Sequence, residues 1–378
     1  MQQPIVHTYS LGELYTERKE KGDPLLPILT VSIHTGVSEG ELDEDKLGKK
    51  VKRIADKTQY KTARKGDLVF NMMRAWQGAI GVVRSAGLVS PAYIVAKPNE
   101  KIWPEYMDYC MKTPRMIHAI HRQSYGVTDF RLRLYWDSFT PITCQLPPLP
   151  EQQKIATILS TQDKVIELKE KLLAQKQQQK KYLMQQLLMP KNKEKSFKAI
   201  HLSDISCLIN KHIDGQKYNY VSTENISPNL SGKVLFDESN IEISGVGFNA
   251  GDILVGNIRP YLKKVWRANK DGLCSTDVLV FKPIGISSEF LYYLIANDNF
   301  FFNVMTTAKG SKMPRGDKKA IMSAKMLIPE SRIEQNFIVE ILSTADHEIN
   351  LLQESIEAEK QKKKALMQLL LTGKVRVK

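Results

Sequence analysis

The feature that most constrains the fold of this chain is an internal repeat. Residues 152–188 and 335–371 align without a gap at an offset of 183, and about 17 of the 37 positions are identical. The identities include Ile-Leu-Ser-Thr near the start of each segment and Lys-Lys-x-Leu-Met-Gln near its end. Because self-similarity at a fixed spacing is the sequence signature of repeated structural units, the chain is predicted to contain one unit twice.

A fainter repeat extends upstream of these two segments. Gly66-Asp67-Leu68-Val69 matches Gly251-Asp252-Ile253-Leu254 at an offset of 185, which also pairs Arg74 with Arg259, and farther along Tyr109 falls opposite Tyr293. The chain is therefore predicted to be a tandem of two half-molecules, each a divergent globular part followed by a better preserved helical part. Two globular units that perform different versions of one task on a common frame would produce this contrast.

The preserved segments are predicted to be long helices over residues 151–189 and 334–372. Their apolar residues recur at alternating spacings of four and three, which is typical of the a/d seam of a coiled coil. Pro150 and Glu151 suit a helix start, and Pro190 and Gly373 suit the two helix ends. The residues assigned to this inter-helix seam are Ile155, Leu159, Ile166, Leu173, Leu183 and Leu187 in the first segment and Ile338, Leu342, Ile349, Leu352, Ile356, Leu366 and Leu370 in the second.

The order of the segments predicts how these helices pair. A helix of about 38 residues spans about 57 Å at 1.5 Å per residue. One isolated amphipathic helix would pack on its own domain, but two copies with polar middles favour pairing with each other. The first helix leads from one globular unit to the next, so the second must run back along it. We therefore expect two long antiparallel coiled-coil helices in a pseudo-two-fold arrangement, which suits the local symmetry of duplex DNA.

Each globular unit is predicted to mix short strands with helices. Strands are expected at 68–71, 79–83 and 93–97 in the first unit and at 253–256, 265–267 and 278–282 in the second, with helices at 103–122 and 288–306. The predicted class is α+β. The predicted segments are a globular domain at 1–150, a spacer helix at 151–189, a linker at 190–199, a second globular domain at 200–330, a spacer helix at 331–373 and a basic tail at 374–378.

The charge of the chain favours a polyanionic partner. Its formal net charge is +14, and nucleic acid is the commonest partner for an excess of this size, although a soluble protein can also simply be basic. Arg pairs with guanine, Asn and Gln pair with adenine, and Lys and Ser suit phosphates. The loop residues proposed as DNA contacts are Asn71, Arg74, Trp76, Gln77, Tyr125, Thr128, Arg131 and Arg133 in the first unit and Asn257, Arg259, Tyr261, Lys263, Lys264, Lys309, Ser311, Lys312 and Arg315 in the second.

Each of these residues has a simpler interpretation as a solvated surface side chain. Arg74 and Arg259 have a further one: because the two units share this arginine, it does not explain how they would read different sequences, and a structural role would account for it equally well.

No pattern for catalysis stands out in the sequence. Leu146-Pro147-Pro148-Leu149 lacks the polar and aromatic residues of an amino-methyltransferase loop, and no nucleotide-binding loop of the Gly-x-x-x-x-Gly-Lys-Ser/Thr type occurs. The four cysteines are scattered without metal-ligand spacing, which predicts reduced thiols in a cytoplasmic protein and no metal site. The sequence contains no run of about 18 apolar residues, so no membrane span is predicted.

The sequence resembles a known family, the specificity subunits of type I restriction–modification systems. The resemblance rests on the Gly-Asp-Leu/Ile-Val/Leu strand, the segment Leu-Pro-Pro-Leu-Pro-Glu-Gln-Gln-Lys-Ile at 146–155, the Ile-Leu-Ser-Thr helix and the closing Lys-Lys-x-Leu-Met-Gln-x-Leu-Leu. It covers essentially the whole chain in the family's order. One departure is Ile-Pro-Glu-Ser-Arg-Ile-Glu-Gln at 328–335, where the first copy has the compact Pro-Pro-Leu-Pro-Glu-Gln.

The resemblance implies a non-catalytic, sequence-specific DNA-binding subunit. Its two target recognition domains would each read one part of a bipartite, asymmetric target, and its helices would set the spacing and dock two methyltransferase subunits. S-adenosylmethionine would be bound by those subunits, and ATP and Mg²⁺ by restriction (motor–nuclease) subunits, so that this chain needs no cofactor. The alternatives are a coiled-coil adaptor without sequence-specific DNA binding, and a DNA-processing enzyme with an unrecognised active site.

Overall fold

The structure, a computed structural model, describes residues 6–33, 36–40, 56–126, 131–188, 196–216, 220–236 and 242–377. Its internal contacts divide the chain into two compact units. Unit 1 comprises residues 1–169 and 355–378, and unit 2 comprises residues 170–354. Each unit therefore combines one globular domain with about half of each long helix.

Unit 1 is built around a four-stranded antiparallel sheet with the order β2-β9-β6-β7. Three two-stranded sheets, β1-β10, β3-β4 and β5-β8, complete its strands in the described residues. The strands are β1 (His7–Ser10), β2 (Tyr15–Glu17), β3 (Leu29–Ser32), β4 (Gly36–Glu39), β5 (Lys61–Ala63), β6 (Leu68–Asn71), β7 (Ile80–Val82), β8 (Gly87–Val89), β9 (Tyr93–Pro98) and β10 (Thr143–Leu146). The helices that begin in this unit are α1 (Leu11–Leu14), α2 (Pro104–Cys110), α3 (Pro114–Gln123), α4 (Trp136–Phe139) and the first long helix, α5 (Leu149–Leu188).

Unit 2 contains an equivalent four-stranded sheet, β12-β19-β16-β17, a second four-stranded sheet, β13-β15-β18-β14, and the pair β11-β20. Its strands are β11 (Phe197–His201), β12 (Ser206–Ile209), β13 (His212–Gln216), β14 (Tyr220–Val221), β15 (Glu242–Phe248), β16 (Ile253–Gly256), β17 (Val265–Arg267), β18 (Gly272–Cys274), β19 (Val278–Pro283) and β20 (Lys325–Pro329). The helices that begin here are α6 (Leu202–Ile205), α7 (Ser288–Ile295), α8 (Asp298–Thr306), α9 (Lys318–Met322) and the second long helix, α10 (Arg332–Leu370).

The two main sheets share their register as well as their strand order. Leu68 of β6 lies opposite Ala96 of β9, and Ile253 of β16 lies opposite Phe281 of β19. Both pairs are related by the offset of 185 that the sequence shows upstream of the helices. The faint upstream repeat is therefore a repeat of structure.

The turn before each central strand explains why Gly-Asp recurs in both units. Gly66 and Gly251 have φ values of +90° and +94°, which an L side chain rarely adopts. The following aspartates, Asp67 and Asp252, are buried, and each accepts a hydrogen bond of 2.8 Å from the backbone N–H three residues earlier. The glycine forms the turn and the aspartate closes it, which places the strand that follows.

Two helices predicted as continuous are each broken in two. The helix expected over 103–122 stops after Cys110, because Thr113 precedes Pro114 and takes an extended conformation before capping the next helix. The helix expected over 288–306 stops at Ile295, and Asn297 caps α8 by accepting a 2.9 Å hydrogen bond from the N–H of Phe300. Apolar periodicity runs through both breaks, so it does not reveal them.

The two long helices pair in antiparallel fashion within each unit. In unit 1, Gln162 of α5 donates to Glu359 of α10 at 2.7 Å, and Lys169 donates to Ser355 at 2.7 Å. In unit 2, Lys176 pairs with Glu348 at 2.7 Å. The partner number falls as the number along α5 rises, which is the mark of antiparallel packing. The α+β class with long antiparallel helices is confirmed.

The residues assigned to the helical seam also enter the cores of the globular domains. In unit 1, Ile155, Leu159 and Leu370 are buried in one cluster with the domain residues Leu11 and Phe70, and Leu366 packs against it. In unit 2, Ile338 and Leu342 are buried with Phe281 and Phe290, and Leu183 and Leu187 pack against them. Ile166, Ile349 and Ile356 are buried, and Leu173 and Leu352 are half-buried. Each fully buried side chain of this size contributes about 1.5–3 kcal/mol, so domain and helices stabilise each other.

The basic tail does not extend freely in its described part. Arg376 forms a two-pronged ion pair with Glu151 at the start of α5, with a distance of 2.7 Å between Nε and Oε1, and the N–H of Val377 donates to the same carboxylate at 3.1 Å. The hydrogen bond from Arg376 lowers the pKa of Glu151. Residues 374–377 thus belong structurally to unit 1. Pro190, predicted to end α5, lies outside the described residues.

Candidate nucleic-acid interface

The two loops predicted to contact DNA in the first unit lie side by side. We call residues 71–79, 124–126 and 131–135 of unit 1 the first loop pair. The N–H of Leu134 donates to the carbonyl of Met72 at 2.9 Å, and the rings of Trp76 and His121 lie 5.5 Å apart. Tyr125 and Arg133 exchange two backbone hydrogen bonds of 3.0 Å, which closes the base of the second loop.

The loop after β6 is a tight, internally bonded turn. The side-chain oxygen of Asn71 accepts from the N–H of Met73 at 3.0 Å, and the indole N–H of Trp76 donates to the Met73 carbonyl at 3.0 Å. The carbonyl of Arg74 accepts from the N–H groups of Gln77 and Ala79. These bonds fix the backbone so that the side chains of Arg74 and Gln77 are presented to solvent.

The predicted contacts of unit 1 divide by exposure. Asn71 and Trp76 are half-buried and help to hold the turn together. Tyr125 is 59% exposed, and its ring lies 5.0 Å from that of Tyr135. The exposed members are Arg74, Gln77, Tyr125, Arg131 and Arg133; Thr128 lies outside the described residues.

The two predicted loops of unit 2 also lie side by side and are also held by backbone hydrogen bonds. We call residues 257–264 and 308–316 of unit 2 the second loop pair. The N–H of Arg259 donates to the carbonyl of Pro314 at 2.8 Å. Lys309 and Arg315 exchange two backbone hydrogen bonds of 2.9 Å, as Tyr125 and Arg133 do in unit 1. At these equivalent places the first residue differs, Tyr125 against Lys309, whereas the second is arginine in both units.

The prediction that Asn257 contacts DNA is wrong. Its side chain is only 6% exposed, and its amide donates to the carbonyl of Gly316 at 3.3 Å, so the residue ties one loop to the other. Its side-chain oxygen is buried without a hydrogen-bond partner among the described residues. An amide held this way inside the unit is not available to a base edge.

Acidic residues of unit 2 already engage three of the predicted cations. Arg315 grips Asp277 through two nitrogens, at 2.8 and 3.2 Å, and this hydrogen bonding raises the pKa of the arginine. Lys309 pairs with Asp317 at 3.0 Å, and Lys263 pairs with Asp298 at 2.6 Å. Lys264 donates to the carbonyl of Thr223. A phosphate would have to compete with these partners.

The remaining predicted residues of the second loop pair are exposed: Arg259, Tyr261, Ser311 and Lys312. Arg259 and Lys263 adopt left-handed backbone conformations, with φ values of +52° and +49°. Such conformations cost a non-glycine residue about 1–3 kcal/mol, and they persist where the surrounding structure imposes them. Here they frame a 3₁₀ turn, Pro260–Leu262, that projects Tyr261 outward, 50% exposed.

Sequence reasoning missed residues that act through neighbours. His121 of α3 packs against Trp76 with its ring tilted, and Asp277 holds Arg315, yet neither stands in a loop rich in basic residues. Met73 and Met313 are each 47% exposed within the loop pairs, and apolar side chains there suit contact with a thymine methyl group. Because methionine is apolar, a criterion based on polar and basic side chains does not select these residues.

The described part of the chain shows no cluster that would ligate a metal ion. No set of three or more His, Cys, Asp or Glu residues comes together there in a metal-binding arrangement. The cysteines are unpaired, and burial raises the pKa of the Cys110, Cys144 and Cys274 thiols to about 12. Nor does any described helix have the length and apolar character needed to cross a membrane.

Comparison with known proteins decides the family. The family model described as the type I restriction modification DNA specificity domain matches residues 14–177 and 202–360, which together make up most of the chain. The chain belongs to this type I DNA specificity family. The two matched ranges fall on the two halves of the internal repeat, so each half is one specificity domain of the family.

Relatives of this specificity chain carry names that agree with the family. The type I restriction enzyme MjaVIII specificity subunit of Methanocaldococcus jannaschii is 25% identical over 333 positions, covering 77% of this chain and 75% of the relative. The putative type I restriction enzyme MjaX specificity subunit of the same organism is 26% identical over 423 positions, covering 99% and 92%.

Solved structures share the fold of this specificity chain at low sequence identity. The type I restriction-modification S subunit from M. genitalium superposes with a TM-score of 0.60 at 12% identity, covering 98% of this chain and 97% of the other. A chain from a structure of complex assembly and conformational transition of the type I R-M system gives 0.59 at 14% identity, covering 98% and 99%. The two-domain, two-helix architecture thus persists where sequence has diverged.

Proposed function

We propose that this specificity subunit reads a bipartite, asymmetric DNA target, one part through each loop pair, and carries no catalytic activity of its own. The loop pairs support this proposal most, because they occupy equivalent positions in the two units but differ in most of their side chains. Beside the arginine that both units share, Arg74 and Arg259, the first loop pair offers Gln77 and Tyr125 and the second offers Tyr261 and Lys312. Different donors in the two loop pairs would select different bases, which makes the two half-sites unequal.

We further propose that the long helices dock two copies of one methyltransferase subunit. Both helices keep a set of exposed identical residues: Ser160 and Ser343, Thr161 and Thr344, Leu168 and Leu351, Gln178 and Gln361, Lys181 and Lys364, and Gln185 and Gln368. Other exposed positions have changed, such as Ala174 against Glu357 and Tyr182 against Ala365. Since exposed residues are not retained for packing, two copies of the same partner explain their retention.

The exposed leucines are the apolar members of this shared surface. Leu168 is 53% exposed and Leu351 is 51% exposed. A leucine at the centre of an interface contributes through burial against the partner, about 1.5–3 kcal/mol when it becomes fully buried. The methyltransferase subunits would supply S-adenosylmethionine chemistry, and motor–nuclease subunits joined to them would supply ATP- and Mg²⁺-dependent cleavage.

A methylation map tests the reading of DNA. The chain is expressed with its neighbouring methyltransferase in a methylation-free host, and genomic N6-methyladenine is mapped by sequencing. A bipartite, non-palindromic motif that appears only when both proteins are present is the expected result. If the methyltransferase is folded and bound to this chain yet no motif appears, the adaptor interpretation replaces the proposal.

Leu168→Lys tests the docking surface. Analytical ultracentrifugation of the complex should show two methyltransferase copies per wild-type chain, one for Leu168→Lys and none for Leu168→Lys with Leu351→Lys. Tyr182→Ala is the matched control, because Tyr182 is 59% exposed and the other helix carries alanine at that place. Two bound copies in the double variant would rule out this surface.

A further inference from the structure

One polar contact between domain and helices occurs in the same form in both units. In unit 1, the hydroxyl of Tyr109 on α2 donates to Oδ2 of Asp163 on α5 at 2.6 Å. Lys363 of α10 approaches the other oxygen, Oδ1, at 2.5 Å, and its Nζ lies 5.7 Å from the centre of the Tyr109 ring. Three elements, one from the globular domain and one from each long helix, therefore meet at a single carboxylate.

Unit 2 repeats this contact with the roles of the long helices exchanged. Tyr293 on α7 donates to Oδ2 of Asp346 on α10 at 2.9 Å. Lys180 of α5 lies 2.5 Å from Oδ1, and its Nζ is 5.8 Å from the centre of the Tyr293 ring. We call these two Tyr–Asp–Lys contacts the domain joints.

Common ancestry alone does not account for the retention of the joints. The helices that carry the tyrosines have diverged on both sides of them: Asp108 and Cys110 flank Tyr109, whereas Tyr292 and Leu294 flank Tyr293. The helix residue after each aspartate has also changed, from Lys164 to His347. The tyrosine and the aspartate stay identical while residues beside them vary, and the lysine is the first of the retained Lys-Lys pair, which together indicate a requirement at the joint itself.

The surroundings make each joint strong and directional. Tyr109 and Tyr293 are 7% and 4% exposed, so their hydroxyls have little water to replace the aspartate. Burial raises the pKa of both tyrosines, and the adjacent aspartates raise it further, so the phenols remain protonated donors. A hydrogen bond to a charged acceptor has a preferred geometry, whereas the apolar packing around it is non-directional. The joint is therefore the contact suited to fix the angle between a globular domain and the long helices of its unit.

We propose that the joints hold each recognition domain at a set orientation on its long helices and thereby determine which spacing between half-sites the protein accepts. This inference rests on the proposed bipartite reading. Tyr109, Asp163 and Lys363, with their unit 2 counterparts, are positioning residues; they act through the loop pairs and do not touch DNA. Loosening a joint leaves the loops intact, so the bases read at each half-site stay the same.

The test measures methylation by the complex of this chain with its methyltransferase. Duplexes carry the mapped target with its native spacer or with one base pair added or removed. The wild type should strongly prefer the native spacer. Tyr109→Phe removes one oxygen, and it should reduce that preference about tenfold, which equals about 1.4 kcal/mol. Tyr293→Phe should do the same from the other unit, with unchanged base preference in both cases.

Two matched variants separate positioning from general loosening. Lys176→Met breaks the Lys176–Glu348 pair, which joins the long helices without touching a globular domain, and it should leave spacer preference unchanged. Lys363→Arg keeps a cation beside Asp163 and should retain wild-type preference.

Unaltered spacer preference in both Tyr→Phe variants, even with a lowered melting temperature, would overturn the proposal and leave the joints a structural role. Absence of a bipartite motif for the wild type would instead defeat the proposed function, so the two failures are distinguishable.

Discussion

At the scale of single residues, the loop cations differ in whether an acidic side chain of the same unit already holds them. Arg315 and Lys309 have aspartate partners in the second loop pair, whereas Arg259 is exposed on a turn held by its backbone. An engaged cation loses an interaction when it moves to a phosphate or base. Binding of the exposed Arg259 to DNA does not require breaking such an ion pair, so Arg259 is better suited to contact a guanine.

Arg259→Ala should therefore weaken discrimination at one position of one half-site by about 1–3 kcal/mol, because a bidentate contact to a base edge is lost. Arg315→Ala should chiefly alter the loop, since it frees Asp277. The measurement is methylation of duplexes with single base changes, compared with Arg267→Ala, an exposed arginine of β17 outside both loops. Equal base preference in the Arg259→Ala variant and the wild type would remove Arg259 from the interface.

The sequence predicts residue types at the interface better than it predicts their availability. Asn257 has a suitable side chain, but it is buried and bonded to Gly316. The tyrosine, aspartate and lysine of each domain joint are visible as identities between repeats, yet nothing in the sequence says that they touch. Burial and partners depend on residues far apart in the chain, such as Asn257 and Gly316, which periodicity and motif do not connect.

At the scale of elements, Glu359 of α10 organises the helix pairing in unit 1. It accepts from Lys169 at 2.8 Å and from Gln162 at 2.7 Å. Hydrogen bonding from these two residues lowers the pKa of Glu359 from 4.5 to about 2. Since the folded-state pKa lies below the unfolded one, the carboxylate contributes its full stability above about pH 4.5 and loses it as the pH falls towards about 2.

Glu359→Gln should lower the melting temperature at pH 7 and do so much less at pH 2, because about half of the wild-type carboxylate is then protonated. The difference in melting temperature between wild type and variant, followed from pH 6 to pH 2, should shrink below about pH 4.5. Glu357→Gln is the control: Glu357 is exposed on the same helix. A difference that stays constant across this range would contradict the assignment.

Elements with strong local signals are predicted accurately, and breaks within apolar runs are not. Strands β6, β16 and β17 match their predicted bounds, because Gly-Asp turns and apolar runs mark them. Both long helices begin two residues before their predicted starts, and the second ends two residues before its predicted end. By contrast, the breaks before Pro114 and at Asn297 depend on local backbone preferences that the helical periodicity masks.

At the scale of the whole molecule, the two loop pairs belong to units with separate cores. Changes in one unit should therefore add to changes in the other, as they do for sites without shared partners. Arg74→Ala should affect one half-site, Arg259→Ala the other, and the double variant should show the sum of both free-energy changes. Methylation rates on duplexes altered in either half-site measure this. A shift of both half-sites by one substitution would contradict independent reading.

The division of the chain into units also bears on its synthesis. Unit 2 is one continuous stretch, residues 170–354, whereas unit 1 lacks Lys363, Leu370 and Arg376 until the ribosome has made residues 355–377. Domains generally fold in the order in which they emerge. Here the core of the half encoded first cannot close until residues 355–377 have been made, whereas the half encoded second needs no residue beyond 354. A released chain that ends at residue 354 would thus contain every segment of unit 2 and leave the core of unit 1 without Leu370.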